Sequence, residues 1–268
     1  MEVRVWGARG SYPATAARFS EFGHHTACVT VREGDDLIVL DVGSGAAALG
    51  AYLGQNPVRR IHILLSHFHH DHILGLPFLV GGAEENTSIA VHAAFGIGHP
   101  LREIVLRLFS APYFPCAAEG LFARIAFTSH PVGGTFTAGG FAIRTAPLEH
   151  PGGASAFRLE RGGRSVVYAS DVEDAPRPAA AMVALAQGAD LLIHDTMFTA
   201  EEILSRRGWG HATIEAAMAL ASAAGARQLA GFHHNPAHDD AKLGAREAEL
   251  TSRFPGACML REGQMICL

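Results

Sequence analysis

The run Ser66-His67-Phe68-His69-His70-Asp71-His72 constrains this chain more than any other stretch of it. It follows Arg60–Leu65, where apolar Ile61, Ile63 and Leu65 alternate with His62 and Leu64, the two-residue period of a strand. Side chains at the carboxyl end of a buried strand project from a rigid frame, which is where open α/β sheets place their ligands. Burying imidazoles and a carboxylate there without a cation would leave several strong polar groups in need of partners. In a tight turn after the strand, His67 and His69 can face one ion while Asp71 and His72 face another nearby. Zinc is the usual choice for this donor mixture, and manganese and iron accept it too.

The sixteen histidines are unevenly spread, gathering again at 150 and at 233–238. The 268 residues suit one large α/β domain, taken here as 1–268, with a sizeable core that needs no cross-links. A chain 49% hydrophobic and 18% charged lacks the signature of disorder. Its net charge of -5 gives no general attraction to a polyanion, so nucleotide or nucleic-acid binding would depend on local groups or bound cations. Cys28, Cys116, Cys258 and Cys267 show no C-x-x-C spacing and read as buried thiols of a reducing compartment. The chain passes directly into strand-like Val3–Trp6 without a signal pattern, and no apolar stretch approaches the ~20 residues that cross a bilayer. A cytoplasmic protein with no membrane partner is expected.

Strand signals recur at Val3–Trp6, Cys28–Arg32, Leu37–Asp41, Arg60–Leu65 and Ile89–His92. An alanine-rich segment ending at Leu53 and the amphipathic Pro100–Phe109 read as helices. The prolines and aromatics of Ser110–Gly120 fit neither period, so this is a loop, either a substrate lid or a connector. From Arg124 to Tyr168 strand signals return and suggest a second sheet. Beyond Asp171, helical runs at Arg177–Gln187, Thr199–Ser205, Ala212–Ala224 and Ala237–Arg253 alternate with strands at Asp190–His194 and Gln228–Phe232. The order is β-rich, then βαβα-like, in both halves.

The spacing of His67, His69, Asp71 and His72 resembles the H-x-H-x-D-H signature of the metallo-β-lactamase superfamily. His150 in Leu148-Glu149-His150-Pro151 is placed like that family's next ligand, Asp171 like its metal-bridging carboxylate, and His233, rather than its neighbour His234, like its last histidine. The resemblance implies a four-layer αββα sandwich of the α/β class. It further implies that His67, His69 and His150 hold one divalent ion and Asp71, His72 and His233 the other, with Asp171 between them. Two ions sharing a hydroxide are suited to hydrolysis.

Asp171 stands where the main di-zinc β-lactamases carry cysteine, and His69 where the oxygen-reducing diiron branch carries a carboxylate, so the resemblance implies a hydrolase that is not a β-lactamase. Gly208-Trp209-Gly210-His211-Ala212-Thr213, Trp6-Gly7-Ala8-Arg9-Gly10-Ser11 and Ala111-Pro112-Tyr113-Phe114-Pro115 resemble the ribonuclease Z and cyclic-nucleotide phosphodiesterase branch. His25-Thr26 and His194-Asp195-Thr196-Met197 depart from that branch's usual elements. Asp71 and His211 are the expected catalytic residues, His211 as a proton donor to a leaving oxygen or as a hydrogen-bond partner of a ligand. Thr213 and Asp195 are candidate supports. With negative net charge and no long basic, glycine-rich arm, a small phosphodiester or cyclic nucleotide is expected as substrate and tRNA is not. Thioester or lactone hydrolysis is the enzyme alternative, a non-catalytic binding or signalling protein the other; the sequence leaves a homodimer open.

Overall fold

In a computed structural model, which describes residues 1–95, 98–115, 118–175 and 177–268, the early strand signals become β1 (Glu2–Gly7), β2 (Cys28–Glu33) and β3 (Asp36–Leu40), an antiparallel meander. From there the chain alternates helix and parallel strand. The elements are α1 (Ala46–Leu53), β4 (Arg60–Leu65), α2 (His70–Ile73), α3 (Leu76–Gly82), β5 (Ser88–Ala93), α4 (Leu101–Leu108), α5 (Ala118–Leu121) and β6 (Ile125–Ser129).

The second half repeats the scheme. β7 (Thr135–Ala138), β8 (Phe141–Leu148), β9 (Ala154–Arg161) and β10 (Arg164–Ala169) form an antiparallel run. α6 (Ala180–Ala186), β11 (Leu191–Asp195), α7 (Ile214–Ala224), β12 (Leu229–Phe232), α8 (Asp240–Arg253) and β13 (Cys258–Met259) then extend it in parallel. β14 (Met265–Cys267) returns to pair with β1. The strand orders are β14-β1-β2-β3-β4-β5-β6 and β13-β12-β11-β10-β9-β8-β7.

Alternation makes each sheet two-faced, and both faces are covered. Val5, Val31, Ile38 and Leu40 of the first sheet meet Phe157, Leu159, Val166, Ile193 and Phe232 of the second in a dry central layer. On the outside, Ile61, Ile63 and Leu65 of β4 pack with Leu49 and Leu53 of α1 and Leu79 of α3. Leu192 and Leu229 meet Leu185 of α6, Leu220 of α7 and Leu243 of α8. This is the four-layer αββα sandwich. Local signals set the outer layer: Thr213 Oγ1 accepts the Ala216 N–H to start α7, and Gly225, at φ 62, ends it.

Three expectations need correction. Ile125–Ser129 belongs to the edge of the first sheet, because the α4–α5 crossover carries it parallel to β5. Of the four cysteines, Cys28 is buried but Cys258 is half-buried and Cys267 exposed, since they lie on short strands at the sheet margins; Cys116 falls outside the described residues. The end of the expected Ser110–Gly120 loop, from Ala118 to Gly120, belongs to α5. Among the described residues, no helix is long and apolar enough to cross a membrane.

Candidate metal centre

The chemistry-bearing side chains stand at carboxyl ends of strands. Asp41 follows β3, His67 and His69 follow β4, His150 follows β8, Asp171 follows β10, Asp195 ends β11 and His233 follows β12. Asp71 and His72 lie in the short α2 that begins directly after His69. The four non-glycine residues of positive φ among those described, Ser11, Asp41, Asp171 and His233, all belong to this place. A left-handed conformation costs such residues on the order of 1 kcal/mol or more, a strain that collects where side chains must be aimed against the run of the strand.

The structure brings all seven expected ligands together. His67, His69, His150 and Asp171 offer atoms within 4.8 Å of one another, as do Asp71, His72 and His233. Asp171 faces both groups. Its Oδ1 lies 3.2 Å from Nε2 of both His72 and His233, and its Oδ2 lies 3.6 Å from His67 Nε2 and 3.8 Å from His150 Nε2. Ser170 Oγ donates to Oδ1 at 2.5 Å and fixes the carboxylate's rotation.

The tautomers follow from the partners. His150 Nδ1–H donates to the Gly210 carbonyl at 2.8 Å, leaving Nε2 as a lone pair 3.0 Å from His69 Nδ1. A β-carbon at Gly210 would stand 2.1 Å from His150 Nδ1, so only glycine lets that ring sit there. Ser66 Oγ donates to Asp41 at 2.7 Å, so it accepts from His67 Nδ1–H at 3.0 Å, and His67 Nε2 carries the free lone pair. His72 Nδ1–H donates to Asp41 Oδ2 at 2.8 Å, and Tyr168 Oη–H donates to the same oxygen at 2.8 Å.

These groups fit divalent cations. His67 Nε2 is a buried acceptor with no hydrogen-bond partner. Burial, with the neighbouring His72, holds its imidazole well below the usual range, so it is a neutral donor. Around His72 the imbalance is of opposite sign. Its Nε2 meets His233 Nε2 at 3.1 Å and Asp71 Oδ2 at 3.3 Å. Burial opposes charge on the ring, yet Asp171, Asp71 and Asp41 outweigh it and hold His72 well above its ordinary value. A spot that draws a proton so strongly onto a buried imidazole is one a cation can take over.

Of the further candidates, Asp195 accepts from His211 Nδ1 at 2.8 Å, while Thr213 instead caps α7 and donates to Asp174. Burial pushes His211 down, but Asp195, with Asp171 and Asp71 behind it, lifts it to about 9. His234 turns away and pairs with the Leu260 carbonyl at 2.7 Å. His25 pairs with Glu262 at 2.9 Å, apart from the cluster. Asp41 was not singled out in the sequence, although a carboxylate directly after the apolar Leu37-Ile38-Val39-Leu40 is a signal of its own: an acid there is buried and needs partners. A cleft of about 340 Å³ opens over the cluster, lined by Ser11, Phe68, His69, His70, Asp71, Asp171 and His211.

Residues 38–234 match the family described as the β-lactamase superfamily domain. The chain is 28% identical to a ribonuclease Z of Halorubrum lacusprofundi, over 97% of this chain and 94% of that one. Its fold matches the metallo-β-lactamase fold protein YhfI of Bacillus subtilis with a TM-score of 0.74 at 21% identity, covering 99% and 98% of the two chains. The short form of human tRNase Z gives 0.70 at 18% identity, covering 100% and 99%. These relatives overturn the expectation against tRNA. That expectation rested on a net charge of -5 and on the missing basic arm, but binding is decided by the groups at a site and not by bulk charge. Family match and fold agree: the chain, similar to proteins named ribonuclease Z, belongs to the metallo-β-lactamase superfamily and is a hydrolase of that fold.

Proposed function

We propose that this chain is a phosphodiesterase working with two divalent ions, zinc being the first choice for so imidazole-rich a donor set. His67, His69 and His150 would hold one ion, Asp71, His72 and His233 the other, and Asp171 would reach both. The observation that carries this reading is the division of Asp171, whose two oxygens face two separate groups of ring nitrogens. Bound there, such ions supply Lewis-acid charge neutralisation and activation of water.

The chain's own residues supply the rest. Asp41 and the Gly210 carbonyl fix the tautomers of His72 and His150, so that Nε2 of each is directed at the cluster. Asp71, oriented by the Ser11 N–H at 2.7 Å, lines the cleft as a ligand that also touches substrate. His211 lines the same cleft with Nδ1 tied to Asp195, which leaves Nε2 as the nitrogen that hands a proton to a departing alkoxide. Relatives named ribonuclease Z support phosphodiester over carbonyl chemistry, and tRNA belongs among the substrates to be tried.

The test is turnover by protein loaded with zinc or manganese, against bis-p-nitrophenyl phosphate, cyclic nucleotides, a tRNA transcript, thioesters and lactones. Phosphodiester cleavage is expected, with kcat falling about 10²–10⁴-fold in His211→Ala at unchanged metal content. Cleavage confined to thioesters or lactones, or stoichiometric metal with no turnover at all, overturns the reading.

A further inference from the structure

Beside the metal cleft lies a larger hollow of about 800 Å³, and the two share one residue, the exposed His70. Its walls are Ile73 and Leu74 at and just beyond the end of α2, Phe78 of α3, and Phe109, Tyr113 and Phe114 after α4. Phe109 and Phe114 meet edge to face at 5.4 Å, and Phe109 does the same with Phe122 at 5.6 Å, so the floor is held rigidly from behind. Phe78 and Tyr113, by contrast, remain 55% and 82% exposed. Large apolar side chains left in water around a concave space mark a binding site.

We infer that this groove seats an aromatic ring carried by the substrate on an ester oxygen of the phosphodiester, an assignment that rests on the phosphodiesterase reading. Continuity through His70 sets the order, reacting phosphate in the cleft and ring in the groove. Arg107, on the groove's lining, adds one positive charge that suits an anionic diester and disfavours a cationic ligand. With aromatic walls and few polar groups besides Arg107, His70 and the Tyr113 hydroxyl, the groove recognises ring faces more than ring edges. Stacking and edge-to-face contacts supply affinity that tolerates different rings.

The experiment compares methyl phenyl phosphate with dimethyl phosphate, each titrated by ligand-observed NMR into metal-loaded wild type and into a Phe78→Ala, Tyr113→Ala double variant. Both substituted residues are largely exposed and lie outside the metal cluster, so folding and metal content stay as in wild type. The phenyl diester binds wild type about tenfold more tightly, and the double variant loses that preference while its affinity for dimethyl phosphate is unchanged. Equal affinities in wild type, or a preference that survives the double substitution, overturn the inference. So does a wild-type dimer in sedimentation that the substitutions dissolve, because a second copy would then cover the groove. Turnover of bis-p-nitrophenyl phosphate, cyclic nucleotides and a tRNA transcript by the same preparation is read in parallel: the absence of all three overturns the phosphodiesterase reading, whereas equal affinities overturn only the groove.

Discussion

The two candidate ligand groups on either side of Asp171 are built from different materials. His67, His69 and His150 are three imidazoles whose outer nitrogens, where fixed, rest on neutral partners, a serine hydroxyl and a glycine carbonyl, and His69 is exposed to the cleft. Asp71, His72 and His233 lie deeper, with His72 and His233 fully buried and His72 backed by Asp41. Apart from the shared Asp171, one seat is made of neutral donors and opens at His69, while the other adds the Asp71 carboxylate and reaches the cleft through Asp71 alone. The contrast teaches that symmetry of ligand number does not make the two positions equal: the deep seat concentrates negative charge out of water, where a cation is most strongly favoured.

The largest effect comes from the residue that erases the contrast. Asp171→Asn removes the charge common to both groups, so metal content falls below the wild-type stoichiometry and turnover drops by roughly 10³-fold, as losing several kcal/mol of charge stabilisation requires. Elemental analysis alongside turnover checks this; full metal with full activity would show that the carboxylate belongs to neither seat.

Next come substitutions that act on one seat at a time. Asp41→Asn leaves the ligands in place but withdraws the negative charge behind His72, and is expected to weaken the tighter-held ion by about 10–100-fold. Gly210→Ala acts on the other seat by steric conflict, since the added β-carbon meets His150 and the residue sits at φ 81. A roughly tenfold loss of the weaker-held ion is expected. Competition titrations with a chelating dye separate the two; if both variants weaken the same ion, the assignment of supports to seats fails.

The smallest effect is read in wild type, with His150→Ala beside it. Graded chelation removes metal in two steps, the His67, His69 and His150 seat emptying first at a chelator concentration several-fold lower, because it is more open and less charged. His150→Ala abolishes the first step and keeps the second. A single step in both proteins would mean that the seats empty together and that the difference in burial has no consequence for affinity.

Much of this was legible in the sequence. The His67–His72 run, the strands before it and after it, and the helix periods are local patterns, and local patterns survive translation into structure because hydrophobic alternation and caps act over a few residues. Resemblance added His150, Asp171 and His233, each unremarkable alone. Asp41 was passed over although it binds Ser66, His72 and Tyr168 at once, because those partners lie up to 127 positions away and nothing near Asp41 names them. The strand expected at Ile125–Thr128 joins the first sheet, not the second, for the same reason: strand character is local, but the neighbour a strand pairs with is not.

What the sequence alone determined is therefore the identity of the donors and the strand-end frame that presents them, since residue type and period are written position by position. The tertiary structure alone decided how the donors divide. Only the closing of two sheets face to face sets Asp171 between His67 and His72, ties His150 to Gly210 and His72 to Asp41, and opens an aromatic groove at His70. Each of these depends on distances between segments far apart in the chain, and such distances are fixed by which buried faces pack together, not by any one segment's own preference.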